Sequence, residues 1–271
     1  MASAPAPTGL VSSLADIAIT TAKAAGRLLL ERQPGIRQAA TKSSPTDPVT
    51  DADRAAERLV VGAISAIRPE DEIFAEEGTR VAGTSGLRWV IDPLDGTVNY
   101  LYQRVGWVVS IAIEDSDGAL VGVVVNPLHD ETFSAVRGGG AYRDGEPLRV
   151  NDDVSAAMAL VGTGFSYQRE SRHRQGDLLA RLLPSVRDVR RTGTCAGDLC
   201  DVAAGRLDAF LEDELSPWDW AAGALIAREA GATITRLRDG TDNHGLLVAP
   251  PALHGELAHL VAEKSGERQR P

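Results

Sequence analysis

Asp92 and Asp95 stand three residues apart in Trp89-Val-Ile-Asp-Pro-Leu-Asp-Gly-Thr-Val-Asn99. The apolar run Trp89 to Ile91 reads as the end of a buried strand. Pro93, with no N–H and a fixed φ, predicts that the strand stops there. Two carboxylates this close repel, and burial raises the cost of ionising both. A divalent cation relieves both problems, and hard oxygen donors, the Leu94 carbonyl among them, suit Mg²⁺. Gly96 and Thr97 then open a helix and offer N–H groups where an anion such as phosphate is favoured. Alone, the stretch reads equally well as a surface turn, because Asp, Pro and Gly all favour turns. Other acids change that balance. Glu76 and Glu77 follow the short strand Ile73-Phe74-Ala75, and pairing of that strand with Trp89 to Ile91 would bring Glu76 beside Asp92. Asp219 opens a helix after Ser216-Pro217, where an acid ordinarily serves the helix dipole.

The elements that must position these residues follow from periodicity. Leu14, Ile17, Ala18, Ala25, Leu28 and Leu29 predict an amphipathic first helix ending near Pro34. A second helix is expected from Thr50 to about Ile67, with Ala56, Leu59, Val60, Ala63, Ile64 and Ile67 inward, and with Thr50 and Asp53 forming a capping box. Strands over 107–114, 119–126 and 131–137 form a meander, and Gly138-Gly139-Gly140 is a strand turn rather than a phosphate loop. Beyond about residue 151 strands and helices alternate. The chain therefore divides into an α+β part, 9–150, and an α/β part, 151–264, tightly joined, with disordered tails over 1–8 and 265–271. A site between the two parts is the natural expectation.

Composition sets limits. The 271 residues carry a net charge of −10, which speaks against a nucleic-acid partner, since such binding needs a basic footprint. Hydrophobic content of 43% with only 4% aromatics implies a core of Ala, Val, Leu and Ile. Cys195 and Cys200, five apart, fit neither a metal-finger spacing nor a helical disulfide, and free thiols in the cytoplasm are the expectation. Neither a signal peptide nor a membrane span is expected. The histidines show no metal-ligand spacing and read as surface or core residues.

Four segments together resemble the signatures of the inositol monophosphatase family, in family order over about residues 10–262. They are Asp92-Pro-Leu-Asp95-Gly-Thr97-Val-Asn99, Ala75-Glu76-Glu77, Trp218-Asp219-Trp-Ala-Ala-Gly, and Lys42-Ser-Ser-Pro-Thr-Asp47 with Thr50-Asp51-Ala52-Asp53. The resemblance implies a layered α-β-α-β-α sandwich of the sugar-phosphatase type. It implies Mg²⁺-dependent hydrolysis of a phosphate monoester with two or three ions, a homodimer, and sensitivity to Li⁺. Glu76, Asp92 and the Leu94 carbonyl are implied ligands of the first ion; Asp92, Asp95 and Asp219 of the second, so Asp92 bridges; Glu76 also helps hold a third. Thr97 and Asp53 resemble the pair that orients the attacking water, and the Gly96 and Thr97 N–H groups the phosphate cradle. On the substrate side, Asp95, Asp219 and Lys42 border the implied pocket. Gly193, Thr194 and Cys195 present N–H groups or a hydroxyl to a polyol there, and Glu212 resembles an acceptor for an inositol hydroxyl. Leu101-Tyr-Gln-Arg-Val-Gly-Trp107 departs from the aromatic- and proline-containing run of many members, which leaves substrate range and dimer geometry open. The expected reaction converts myo-inositol 1-phosphate to myo-inositol and phosphate by metal-activated water. Histidinol phosphate, fructose 1,6-bisphosphate and a nucleotide 3′-phosphate are alternatives within the class, and a regulatory binding protein on the same fold is the alternative outside it.

Overall fold

In the computed structural model, residues 8–35, 40–41, 48–237 and 244–262 are described. The helices are α1 (Thr8–Arg32), α2 (Asp51–Ile67), α3 (Thr97–Leu101), α4 (Arg169–Leu182), α5 (Cys195–Ala203), α6 (Pro217–Glu229) and α7 (Pro251–Ala262). The strands are β1 (Ala40–Thr41), β2 (Pro48–Val49), β3 (Glu72–Ala75), β4 (Arg80–Val81), β5 (Arg88–Asp95), β6 (Val108–Asp115), β7 (Gly118–Asn126), β8 (Glu131–Val136), β9 (Gly140–Arg143), β10 (Glu146–Pro147), β11 (Leu160–Thr163), β12 (Asp188–Arg190), β13 (Ala209–Leu215), β14 (Thr233–Arg236) and β15 (His244–Ala249). Of the expected tails, Thr8 already belongs to α1; the others lie outside the described residues.

An eight-stranded sheet runs β10-β9-β8-β7-β6-β5-β3-β4, antiparallel except for β3 beside β5. A five-stranded sheet runs β12-β11-β13-β15-β14. Period-two alternation sends Trp89, Ile91, Val109, Ile111 and Val123 to one face of the large sheet, under α1 and α2. Val90, Val108, Ala112 and Val124 point to the other face, toward α5 and α6. The second sheet closes that middle layer with Phe210 and Val248 and packs Val161, Leu211 and Leu247 against α4 and α7. The layers are α-β-α-β-α, mixed α/β, as expected.

Two contacts fix the middle layer. Gly122 of β7 sits against the backbone of α6: a Cβ there would lie 2.7 Å from the Ala222 carbonyl oxygen. Ala221, Ala222, Ala224 and Ala227 keep α6 slim enough to be buried along most of its length. On its other flank Gly223 meets Leu199 and the Ala196 carbonyl of α5.

Two expectations need correction. β5 does not stop at Pro93 but continues to Asp95, with Asp92 opposite Ser110 and Asp95 opposite Val108. One extra residue on β5 makes this a bulge, in which the missing N–H of proline costs no ladder bond. Ile67 is not part of the core: it is 59% exposed, and the buried face of α2 ends at Ile64, with Leu59 and Ala63 half-buried. Apolar periodicity marks a face but not where its cover ends.

Candidate active site

The bulge gives Asp92 and Asp95 their separate directions. Asp92 is buried, accepts the Leu94 N–H at 2.9 Å, and shares a hydrogen bond with Glu76. The β3–β5 pairing supplies that neighbour, because Ala75 is in register with Ile91 and the Glu76 N–H donates to the Ile91 carbonyl at 3.0 Å. Burial, then the charges of Glu76, Asp95 and Asp219, push the Asp92 carboxyl well above its ordinary range. Asp95 turns toward α5: one of its oxygens accepts the Thr194 hydroxyl at 2.6 Å and the Ala196 N–H at 2.7 Å. Burial lifts Asp95 to about 6, and the bonds from Thr194, Ala196 and Cys195 hold it from rising further.

Asp219 arrives from α6. Ser216 caps that helix and Pro217 opens it; Asp219, at the third position, accepts the Ser216 N–H at 2.6 Å in a capping box. Burial and the charges of Glu76 and Asp95 raise it well above the usual carboxylate range. The first-turn acid that sequence would ordinarily give to the helix dipole thus both closes a capping box and lines the cavity.

These groups line one cavity of about 500 Å³. Glu76, Asp92, Leu94, Asp95, Gly96 and Thr97 come from the large sheet and α3. Gly193, Thr194, Cys195, Glu212 and Asp219 come from the later half. The volume suits a small ligand. Arg191 is the one basic side chain in the lining among the described residues. Among those residues, no three acidic, His or Cys side chains already stand at metal-ligating spacing. As folded, Asp92, Asp95 and Asp219 each accept a backbone N–H instead.

Thr97 joins the pocket to a buried anchor. Its hydroxyl donates to Asp53 at 3.0 Å, with the Leu94 carbonyl at 3.2 Å as a second acceptor. Asp53 is fully buried and also accepts the N–H and hydroxyl of Thr50, closing the expected capping box of α2. Gly96 precedes α3 with φ of +99°, and a Cβ there would lie 2.6 Å from the Gly106 carbonyl. Only glycine fits both restrictions. Tyr100 pins α3 from behind, donating to the Leu29 carbonyl at 2.7 Å and meeting Trp107 edge-to-face at 5.1 Å.

The opposite wall is partly unforeseen. Glu212 is raised to about 8 by burial first and then by Asp95, with Arg191 pulling the other way. Its carboxyl lies against Gly164, where a Cβ would come within 2.1 Å of a carboxylate oxygen. Gly164→Ala is therefore expected to turn Glu212 aside and raise KM several-fold or more, with the fold intact; kinetics beside a circular dichroism spectrum check it. The Thr194 hydroxyl is already committed to Asp95 and, as the N-cap of α5, to the Gly197 N–H. It anchors the site rather than standing free for a polyol.

Residues 163–168 line the pocket without having been singled out by sequence, as does Asp198, which burial raises well above its usual range and Thr192 partly restrains. Asn99 was legible only as the end of a motif. Its amide donates to the carbonyls of Gly106 and Thr192, at 2.6 and 2.8 Å, and so ties the loop after α3 to the loop before α5. Lys42 lies outside the described residues. Cys195 and Cys200 are buried free thiols, and His254 is a buried core residue facing Thr235. No helix among the described residues is long and apolar enough to cross a membrane.

Comparison with known proteins places the chain among relatives of known sequence and fold. The chain is 43% identical over 236 residues to "Inositol-1-monophosphatase SuhB" of Mycobacterium tuberculosis, covering 83% of this chain and 81% of that protein. It is 36% identical to "Nus factor SuhB" of Escherichia coli, over 94% and 98% of the two chains. The solved structure of extragenic suppressor protein suhB from Bartonella henselae superposes with a TM-score of 0.87 at 33% identity, over 93% of this chain and 99% of that one. The model of the inositol monophosphatase family matches residues 10–268, and the chain belongs to that family.

Proposed function

We propose that the protein hydrolyses the phosphate monoester of a small polyol, myo-inositol 1-phosphate before others, using Mg²⁺ held by Glu76, Asp92, the Leu94 carbonyl, Asp95 and Asp219. The observation that carries this reading is the convergence of carboxyls from two sheets and a helix N-terminus on one cavity, with Asp92, Asp95 and Asp219 each raised by burial and by neighbouring acids. Such a cluster is short of positive charge, and an all-oxygen donor set fits a hard divalent ion. Bound Mg²⁺ would neutralise the phosphate oxygens and acidify a water.

The chain's own residues would do the remaining work. Thr97 donates its proton to buried Asp53, which leaves the hydroxyl oxygen to accept from a water and to orient it. Gly96 and Thr97, at the start of α3, are the proposed phosphate contacts. Gly193, the Cys195 backbone and Glu212 form the wall where polyol hydroxyls are to be distinguished. Lys42 and a third ion beside Glu76 complete the proposed set. The name of the Escherichia coli relative favours a second reading, a regulatory binding protein.

Phosphate release from myo-inositol 1-phosphate, histidinol phosphate, fructose 1,6-bisphosphate and a nucleotide 3′-phosphate, with Mg²⁺ and with chelator, separates these readings. Mg²⁺-dependent turnover highest on the inositol ester is expected. Inactivity on all four at millimolar Mg²⁺ removes the enzyme reading and leaves the binding protein.

A further inference from the structure

We propose that Glu57 is the positioning residue that aims Glu76 at Asp92, an inference resting on the metal-site reading above. Glu57 belongs to the inward face of α2, is 5% exposed, and does not line the cavity. Its carboxylate reaches across to the turn after β3. One oxygen accepts the Glu77 N–H at 2.7 Å; the other accepts the Thr79 N–H at 3.1 Å and the Thr79 hydroxyl at 2.6 Å. A buried carboxylate is costly unless its lone pairs are satisfied, and here they are satisfied by the residues that follow Glu76.

The turn is held from its other side as well. The Arg80 guanidinium donates to the carbonyl of Ala75 and, at 2.8 Å, to that of Thr79. It stacks 3.9 Å over the Phe74 ring and 5.3 Å from Trp218, the neighbour of Asp219. Glu76 itself is tied through its N–H to Ile91, one residue before Asp92. The turn thus directs its Glu77 and Thr79 N–H groups at Glu57 and its Ala75 and Thr79 carbonyls at Arg80. Gly78, at φ of +110°, lets it reverse between them.

A two-residue edge strand such as β4 does not need a buried acid in order to form. A metal ligand on a turn does need its direction set, because an ångström of drift there weakens binding of the ion. Glu57 meets that need without touching the ion or the substrate.

The test compares native protein with Glu57→Ala, Glu57→Gln and Thr79→Val. Amide hydrogen exchange in chelator should show Glu77 and Thr79 exchanging at least about tenfold faster in Glu57→Ala, with Val90 of β5 unchanged. Mg²⁺ affinity by calorimetry should fall about 10–100-fold. The kcat at saturating Mg²⁺ should stay within about threefold of native. Glu57→Gln, which keeps one acceptor oxygen, should recover part of the affinity; if Glu57→Ala does not fold, it and Thr79→Val carry the same readouts. Native Mg²⁺ affinity in Glu57→Ala or Glu57→Gln overturns the proposal, as does unchanged exchange at 77 and 79. A native protein that binds Mg²⁺ but hydrolyses none of the esters removes the phosphatase reading and leaves the affinity comparison to decide for Glu57.

Discussion

Asp95→Asn is expected to lower kcat by at least about a thousandfold while the metal-free protein melts higher than native. The activity loss follows from removing a charged donor from the site where developing charge must be balanced. The stability gain follows from the raised carboxyls. Asp95 titrates near 6 in the folded chain against an ordinary value of about 4. The folded state therefore binds this proton more tightly than the unfolded one, and stability falls as pH rises from about 4 through 6. A neutral amide escapes that loss. It also keeps the local structure, because the Thr194 and Ala196 bonds converge on one oxygen, which the asparagine carbonyl can replace. A rise in Tm of roughly 2–4 °C at pH 7.5 in chelator corresponds to about 1 kcal/mol in a chain of this size. Asp219→Asn should behave alike. Near-native turnover by Asp95→Asn at saturating Mg²⁺ would falsify the ligand assignment.

The largest loss of stability without loss of chemistry is expected at Asp71. This carboxylate is buried and accepts Arg68 through two bonds, at 2.8 and 2.9 Å, and the Trp89 indole N–H at 2.9 Å. Trp89 is fully buried at the start of β5, so the pair secures the strand that carries Asp92. Asp71→Ala leaves a buried indole N–H and a guanidinium unpaired, and about 3 kcal/mol of unfolding free energy should disappear. Burial pushes the Asp71 carboxyl up, but the bonds from Arg68, Ser85 and Trp89 and the Arg68 charge outweigh it and hold it below its usual range. Its contribution is therefore present above pH 4 and fades as pH falls below that. Urea denaturation at pH 7 and pH 3 should show the gap between native and variant shrinking at the lower pH. An equal gap at both would mean that the charge contributes nothing.

The acids that line the cavity were legible because each sits at a local punctuation mark: Glu76 after a strand, Asp92 and Asp95 around a proline, Asp219 at a helix start. The capping box of α2 was legible for the same reason, since its partners are three residues apart. What sequence did not disclose depends on contacts between distant residues. Nothing near Pro93 announces that β6 will tolerate an extra residue opposite it and carry β5 on to Asp95. The fit of Glu212 against Gly164 joins positions 48 residues apart, and the reach of Asn99 to Thr192 spans 93. Glu57 carries no local signal in the sequence, because its partners lie in a turn 20 residues away.

The meeting of Gly122 with the Ala222 carbonyl places backbone directly on backbone between β7 and the helix that carries Asp219. Side chains elsewhere in the middle layer can be exchanged for others of similar bulk, and the helix will still come to rest at the same depth. The interior can therefore change widely and still keep this acid in register with the bulge opposite. The tolerance ends at position 122, where even one added methyl would lift the helix away from its seat.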